Sequence, residues 1–141
     1  MYNAYQRSAA YRNWRNFLLK TSTVLHSFPW MRHTGKKMEP GAASYAERLA
    51  ALRALHDAGC RTWVSIEPYP TPNMIEQDLN EILEAVAFTD RIIFGRTNYS
   101  KMANAYEGHK HFYNVCAAEV ITFCQEHDID YHIKEKTITK E

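Results

Sequence analysis

No two cysteines in this 141-residue chain stand close enough in sequence to make a metal-binding pair: Cys60, Cys116 and Cys124 are the only three. Their odd number and wide spacing exclude a disulfide-stapled scaffold and suit reduced, buried thiols in a cytoplasmic protein. Long apolar runs are missing too. The best run of the N-terminal part, Phe17-Leu18-Leu19, falls far short of the roughly 18 residues of a membrane span and of the core of a secretory signal. Acidic residues are absent from residues 1–38, which hold seven of the seventeen Lys and Arg. The rest of the chain carries ten Lys and Arg against all sixteen Asp and Glu, so a net charge of +1 hides a basic head on an acidic body. The total favours neither nucleic acid nor membrane, but the asymmetry predicts two segments, 1–37 and 38–141.

What is present is enough to build one core: 45% of the residues are hydrophobic and 13% aromatic. In the head, Tyr2, Tyr5, Tyr11, Trp14, Phe17 and Leu18 recur at spacings that predict a helix over Ala9–Leu19. The stretch from Thr21 to Lys37 has no period. The head therefore reads as irregular or partly helical. Its composition suits a transit peptide or a foreign sequence joined near Met38, with a nucleic-acid arm least supported.

From Met38 the pattern is regular. Glu39-Pro40-Gly41 predicts a turn. Ser44 and Glu47 have capping-box spacing, Leu49, Leu52 and Leu55 continue a helical face, and Gly59 predicts a left-handed stop. Arg61–Ile66, rich in β-branched and aromatic residues, predicts a buried strand, and the prolines at 68, 70 and 72 predict that it ends there. Asn73 is expected to cap a second helix carrying Ile75, Leu79, Ile82, Leu83 and Val86. A short strand, Arg91–Phe94, a polar loop to about Gly108, a helix with Phe112, Val115, Cys116, Val120, Phe123 and Cys124, and a strand over Ile129–Ile133 complete the series. Helix and strand alternate three times, which predicts parallel strands with right-handed crossovers.

Parallel sheets bind ligands at the carboxyl ends of their strands. The first strand delivers Ser65, Glu67, Tyr69, Thr71 and Asn73 there, the second Gly95, Arg96, Thr97, Asn98 and Tyr99, and the third His132, Lys134 and Glu135. Glu67 and Arg96, on adjacent strands, are expected to pair as a fork for a carboxylate or ribose. Metal readings are weaker. His109 and His111, two apart on a helix, diverge by roughly 200°. Strand alternation sends Asp130 and His132 away from Tyr131 and Ile133. No metal ligand is assigned.

Taken together, KMEPGAASYAERLAALRALHDAG, TWVSIEPYPTPN and RIIFGRTNYS resemble the C-terminal half of radical S-adenosylmethionine (SAM) proteins, in the branch near spore photoproduct lyase. The resemblance runs from about Met38 to the end of the chain. It implies α/β architecture, the later parallel βα units of a partial TIM barrel. Family members hold a [4Fe–4S] cluster in a CxxxCxxC loop and cleave SAM reductively to a radical. By that resemblance Ser65, Glu67, Arg96 and Asn98 are the expected cofactor contacts. Tyr69, Asn73, Tyr99 and Lys134 are the expected substrate contacts.

The sequence departs from the family at its centre, for it contains no CxxxCxxC. The expectation is a fragment of a radical SAM protein, inactive alone and binding neither SAM nor a cluster by itself. Two other readings stand beside it: a small non-catalytic binding module with the head as an arm, and a subunit of a split enzyme whose missing half comes from another chain.

Overall fold

In the computed structural model, residues 23–25 and 43–140 are described. The helix expected over Ala9–Leu19 and the turn at Glu39–Gly41 lie outside them. The elements in chain order are β1 (Thr23–Leu25), α1 (Tyr45–Asp57), β2 (Thr62–Tyr69), α2 (Leu79–Val86), β3 (Arg91–Arg96), α3 (Lys101–Ala105), α4 (His109–Glu126) and β4 (Asp130–Ile133). The four strands form one parallel sheet in the order β1-β2-β3-β4. The α/β reading and the parallel pairing hold. β1, from the aperiodic part of the head, is an addition: three residues are too few to show an alternation.

Monotonic order with crossovers of one hand places the helices on one face of the sheet. The pleat confirms it. Val64 and Ile66 of β2 and Ile92 and Phe94 of β3 are fully buried, in one cluster with Leu52 of α1, Leu83 and Val86 of α2, and Tyr113, Val120 and Cys124 of α4. Alternate residues turn to the other face: Ser65 and Glu67, Ile93 and Gly95, His132 and Lys134. Among the described residues no helix is long and apolar enough to cross a membrane.

Local chemistry explains the element ends. At α1 the Glu47 N–H donates to Ser44 Oγ at 3.3 Å while the Ser44 N–H donates to Glu47 Oε2 at 2.7 Å, so two orphan helix donors are satisfied reciprocally. The Ser44 hydroxyl, which donates to Glu47 Oε2 at 2.7 Å, and after it the Ser44 N–H hold the Glu47 carboxyl below its ordinary pKa. Gly59 follows the helix at φ 82°. At the foot of the sheet Asp90 Oδ2 accepts from the Thr62 N–H at 2.6 Å and from its hydroxyl at 3.2 Å, tying the start of β2 to the start of β3.

Several boundaries differ from expectation, among them that of β3, which runs on from Phe94 through Gly95 to Arg96. β2 does not stop at Ile66 but continues through Glu67 and Pro68 to Tyr69. β1 reaches only as far as Val64, and on the other side Ile66 pairs with Phe94 but Tyr69 with Arg96. The extra β2 residue is a bulge, and Pro68, which has no N–H, sits in it. α2 starts at Leu79, capped by Asp78 through the Glu81 N–H, rather than after Asn73. Asn73 is engaged elsewhere: its Oδ1 accepts from the Thr71 hydroxyl at 2.6 Å and its Nδ2 donates to Met102 O at 2.8 Å. The loop after β3 holds an extra helical turn, α3, capped by the Ser100 hydroxyl.

Candidate functional site

The bulge decides which side chains face the carboxyl-end cleft. Without it, strand alternation from Ile66 would turn Pro68 to the helices and Tyr69 outward. The extra residue reverses this, and Tyr69 enters the core with 2% exposure, its ring 5.4 Å from that of Phe94 and stacked on Phe112 at 6.2 Å. Tyr69 is thus a core residue here, not a cleft residue. Its main-chain carbonyl is the anchor of the strand ends. It accepts from the Tyr113 hydroxyl at 2.8 Å and from the Thr97 hydroxyl at 2.7 Å, while the Thr97 N–H donates to the Tyr113 hydroxyl at 3.2 Å. One buried tyrosine of α4 therefore fixes the ends of β2 and β3 against each other.

Above this anchor, on the face away from the helices, lies a cleft of about 710 Å³ lined by Glu67, Pro68, Arg96, Asn98, His132, Lys134 and Glu135. The predicted residues Glu67, Arg96, Asn98 and Lys134 come together in it. Ser65 lies on the same face one pleat below, beside Ile93, which in turn is beside His132. Asn73 does not line the cleft and is held to Met102. Tyr99 follows Asn98 with its side chain fully open to solvent and φ 58°.

The expected Glu67–Arg96 pair is not made. Glu67 Oε1 lies 3.1 Å from Lys134 Nζ, two strands away. Register gives the reason: Ile66 aligns with Phe94 and Phe94 with Ile133, so Glu67, Gly95 and Lys134 follow in one row across the sheet. Glycine in the middle of that row leaves the path between the charges clear. Arg96 belongs to the opposite pleat. Its guanidinium lies 5.4 Å above the Tyr113 ring and donates to Lys136 O at 3.4 Å and to Asn104 Oδ1 at 3.3 Å. It thereby ties the C-terminal strap, residues 134–140, to the end of β3. The strap is held further by the Arg96 N–H on Thr137 Oγ1 at 3.3 Å and by reciprocal 2.9 Å bonds between Asn114 and Thr139.

Chemically, the cleft offers a carboxylate, an ammonium, the edge of a guanidinium, an amide and an imidazole, with Pro68 beside them. Such a set suits a polar ligand that carries both donors and anionic acceptors. A second hollow, about 520 Å³ between α2 and α4, is lined by Tyr69, Asp78, Phe112, Cys116 and Glu119 among others. Burial, then the Asp78 carboxylate, raises the Glu119 pKa. Burial, then Glu119, pushes the Cys116 thiol up to about 12. The cleft is the better candidate because it lies at the carboxyl ends of the parallel strands.

Sequence reasoning placed Glu67, Gly95, Arg96 and Lys134 at the strand ends, but gave Gly95 no role of its own there and did not single out Tyr113 or Thr137. A glycine inside a strand is a signal of close approach by another group, and Gly95 could have been found by it. Tyr113 stands at helical spacing with Cys116, Val120 and Cys124 and is buried with them, a period that could have found it, whereas Val115, expected on that face, is exposed. Among the described residues no three His, Cys, Asp or Glu side chains are grouped as a metal set. Compared with family models, curated proteins and solved structures, the chain matches none.

Proposed function

We propose that residues 38–141 are the later βα units of a radical SAM-type partial barrel, and that their cleft is one wall of a site whose other wall belongs to polypeptide beyond this sequence. The observation that carries the reading is the Glu67–Lys134 cleft at the carboxyl ends of sequentially ordered parallel strands. It coincides with the SIEPYPTPN and FGRTNYS stretches on which the family resemblance rests. Ligands of parallel α/β proteins occupy this end. In this reading Glu67, Arg96 and Asn98 meet the polar parts of SAM, Lys134 faces the substrate, and Ser65 supports them from below. SAM itself would supply the radical once cleaved at a cluster.

The cysteines present do not fit that cluster. Cys116 and Cys124 are eight residues apart on α4, about 12 Å along a helix axis, and both are buried. Burial pushes their thiols up to about 12 and about 11, the opposite of what thiolate ligands need. Cys60 stands before β2, at the end of the sheet away from the cleft. No step of cluster chemistry is therefore assigned to this chain, and its share of the work is binding and orientation. The resemblance makes the missing wall the earlier βα units, encoded upstream or supplied by a partner chain. Translating the upstream DNA in all frames tests this. A CxxxCxxC stretch there is the expected result, and its absence, together with failure to recover a cysteine-bearing partner on co-purification, would overturn the reading.

A further inference from the structure

We propose that Gly95 is a positioning residue, whose missing side chain lets Glu67 and Lys134 meet across β3 and form a single two-charged wall of the cleft. β2 and β4 are two strand spacings apart, about 9.5 Å, and any side chain on the intervening residue stands between groups reaching across from either side. At Gly95 a β-carbon would lie 2.6 Å from Glu67 Oε2, 3.2 Å from Glu67 Cβ and 3.1 Å from Lys134 Cγ. All three of those neighbours belong to the ion pair, and none to the hydrophobic core.

Backbone freedom does not account for the glycine. Only Gly59 and Gly108 among the described glycines have positive φ, whereas Gly95 lies inside a regular strand with Phe94 and Arg96 paired on either side. A glycine there weakens the strand, since it costs more backbone entropy and packs no side chain. The row Glu67–Gly95–Lys134 supplies the missing reason. With alanine at 95 the carboxylate must swing off the strand, the 3.1 Å contact opens, and each charge enters the cleft alone. This inference rests on the geometry of the cleft and holds whichever ligand the cleft takes.

The test is to measure the urea unfolding midpoint of Gly95→Ala in two backgrounds, wild type and Glu67→Ala. The proposal expects Gly95→Ala to lower the midpoint in the wild type and to leave it unchanged or raise it once Glu67 is truncated, a reversal that a packing role for Gly95 would not produce. If Gly95→Ala fails to fold alone, recovery of the fold in Gly95→Ala/Glu67→Ala reports the same dependence. An equal loss in both backgrounds, failure of both to fold, or no effect in either would overturn it.

Discussion

Replacing Phe94 with alanine is expected to lower the free energy of unfolding by about 3–5 kcal/mol, the usual cost of emptying a buried aromatic site. The Phe94 ring is fully buried at the centre of β3, in contact with the ring of Tyr69. β2 and α4 both close on it, so the cavity left by truncation has little freedom to collapse. The main chain of Phe94 also accepts from the Lys134 N–H at 2.9 Å. Loosening β3 therefore reaches one of the two charges of the cleft. Against a typical total of about 5–15 kcal/mol, this is a large share. Urea denaturation with an unchanged slope would assign the loss to the native core. A cost below about 1 kcal/mol would mean that β3 does not pack against the helices as described.

A subtler substitution strikes the site more directly. Tyr113→Phe keeps the ring, and so the volume of the core, but removes the hydroxyl that joins Thr97 N–H to Tyr69 O. The Tyr69 carbonyl keeps the Thr97 hydroxyl as a donor, whereas the buried Thr97 N–H loses its acceptor. Leaving such a donor unpaired costs about 1–3 kcal/mol. The loss should be local as well as global: the Thr97 amide should exchange faster with solvent than in the wild type, and Ile92 and Val64 much less so. Unaltered protection of Thr97 would show that the strand ends are aligned by something other than Tyr113.

The parts of the fold legible in the sequence were those governed by one local rule. Ser44 and Glu47 cap α1 as their spacing requires, and α2 buries Leu79, Ile82, Leu83 and Val86. Of the stripe expected on α4, Cys116, Val120, Phe123 and Cys124 are buried, but Val115 is exposed and Phe112 only partly covered. Parallel pairing followed from crossover length. What escaped was set by register, which no single segment encodes. Pro68 was read as a strand terminator because its own chemistry forbids a ladder hydrogen bond, yet a bulge accommodates it. That bulge then turned Tyr69 from the cleft into the core. The Glu67–Arg96 pair failed for a related reason. Adjacent strand ends suggested neighbours, but the pleat put Arg96 over Tyr113, and Gly95 opened the way to Lys134.

Asn73 illustrates a different limit. Its side chain suits a helix cap as well as a loop tie, and only the position of Met102 on a later element decides for the loop. β1 was illegible because three residues cannot show an alternation, and its pairing with β2 is a property of the sheet.

The central claim is that this chain builds one wall of a site and lacks the groups that would hold an iron–sulfur cluster. Anaerobic reconstitution of the purified chain with ferrous iron and sulfide, followed by incubation with SAM and a reductant, tests it most directly. The account predicts no [4Fe–4S] absorbance after desalting and no 5′-deoxyadenosine. A stable cluster with SAM cleavage by the chain alone would contradict it.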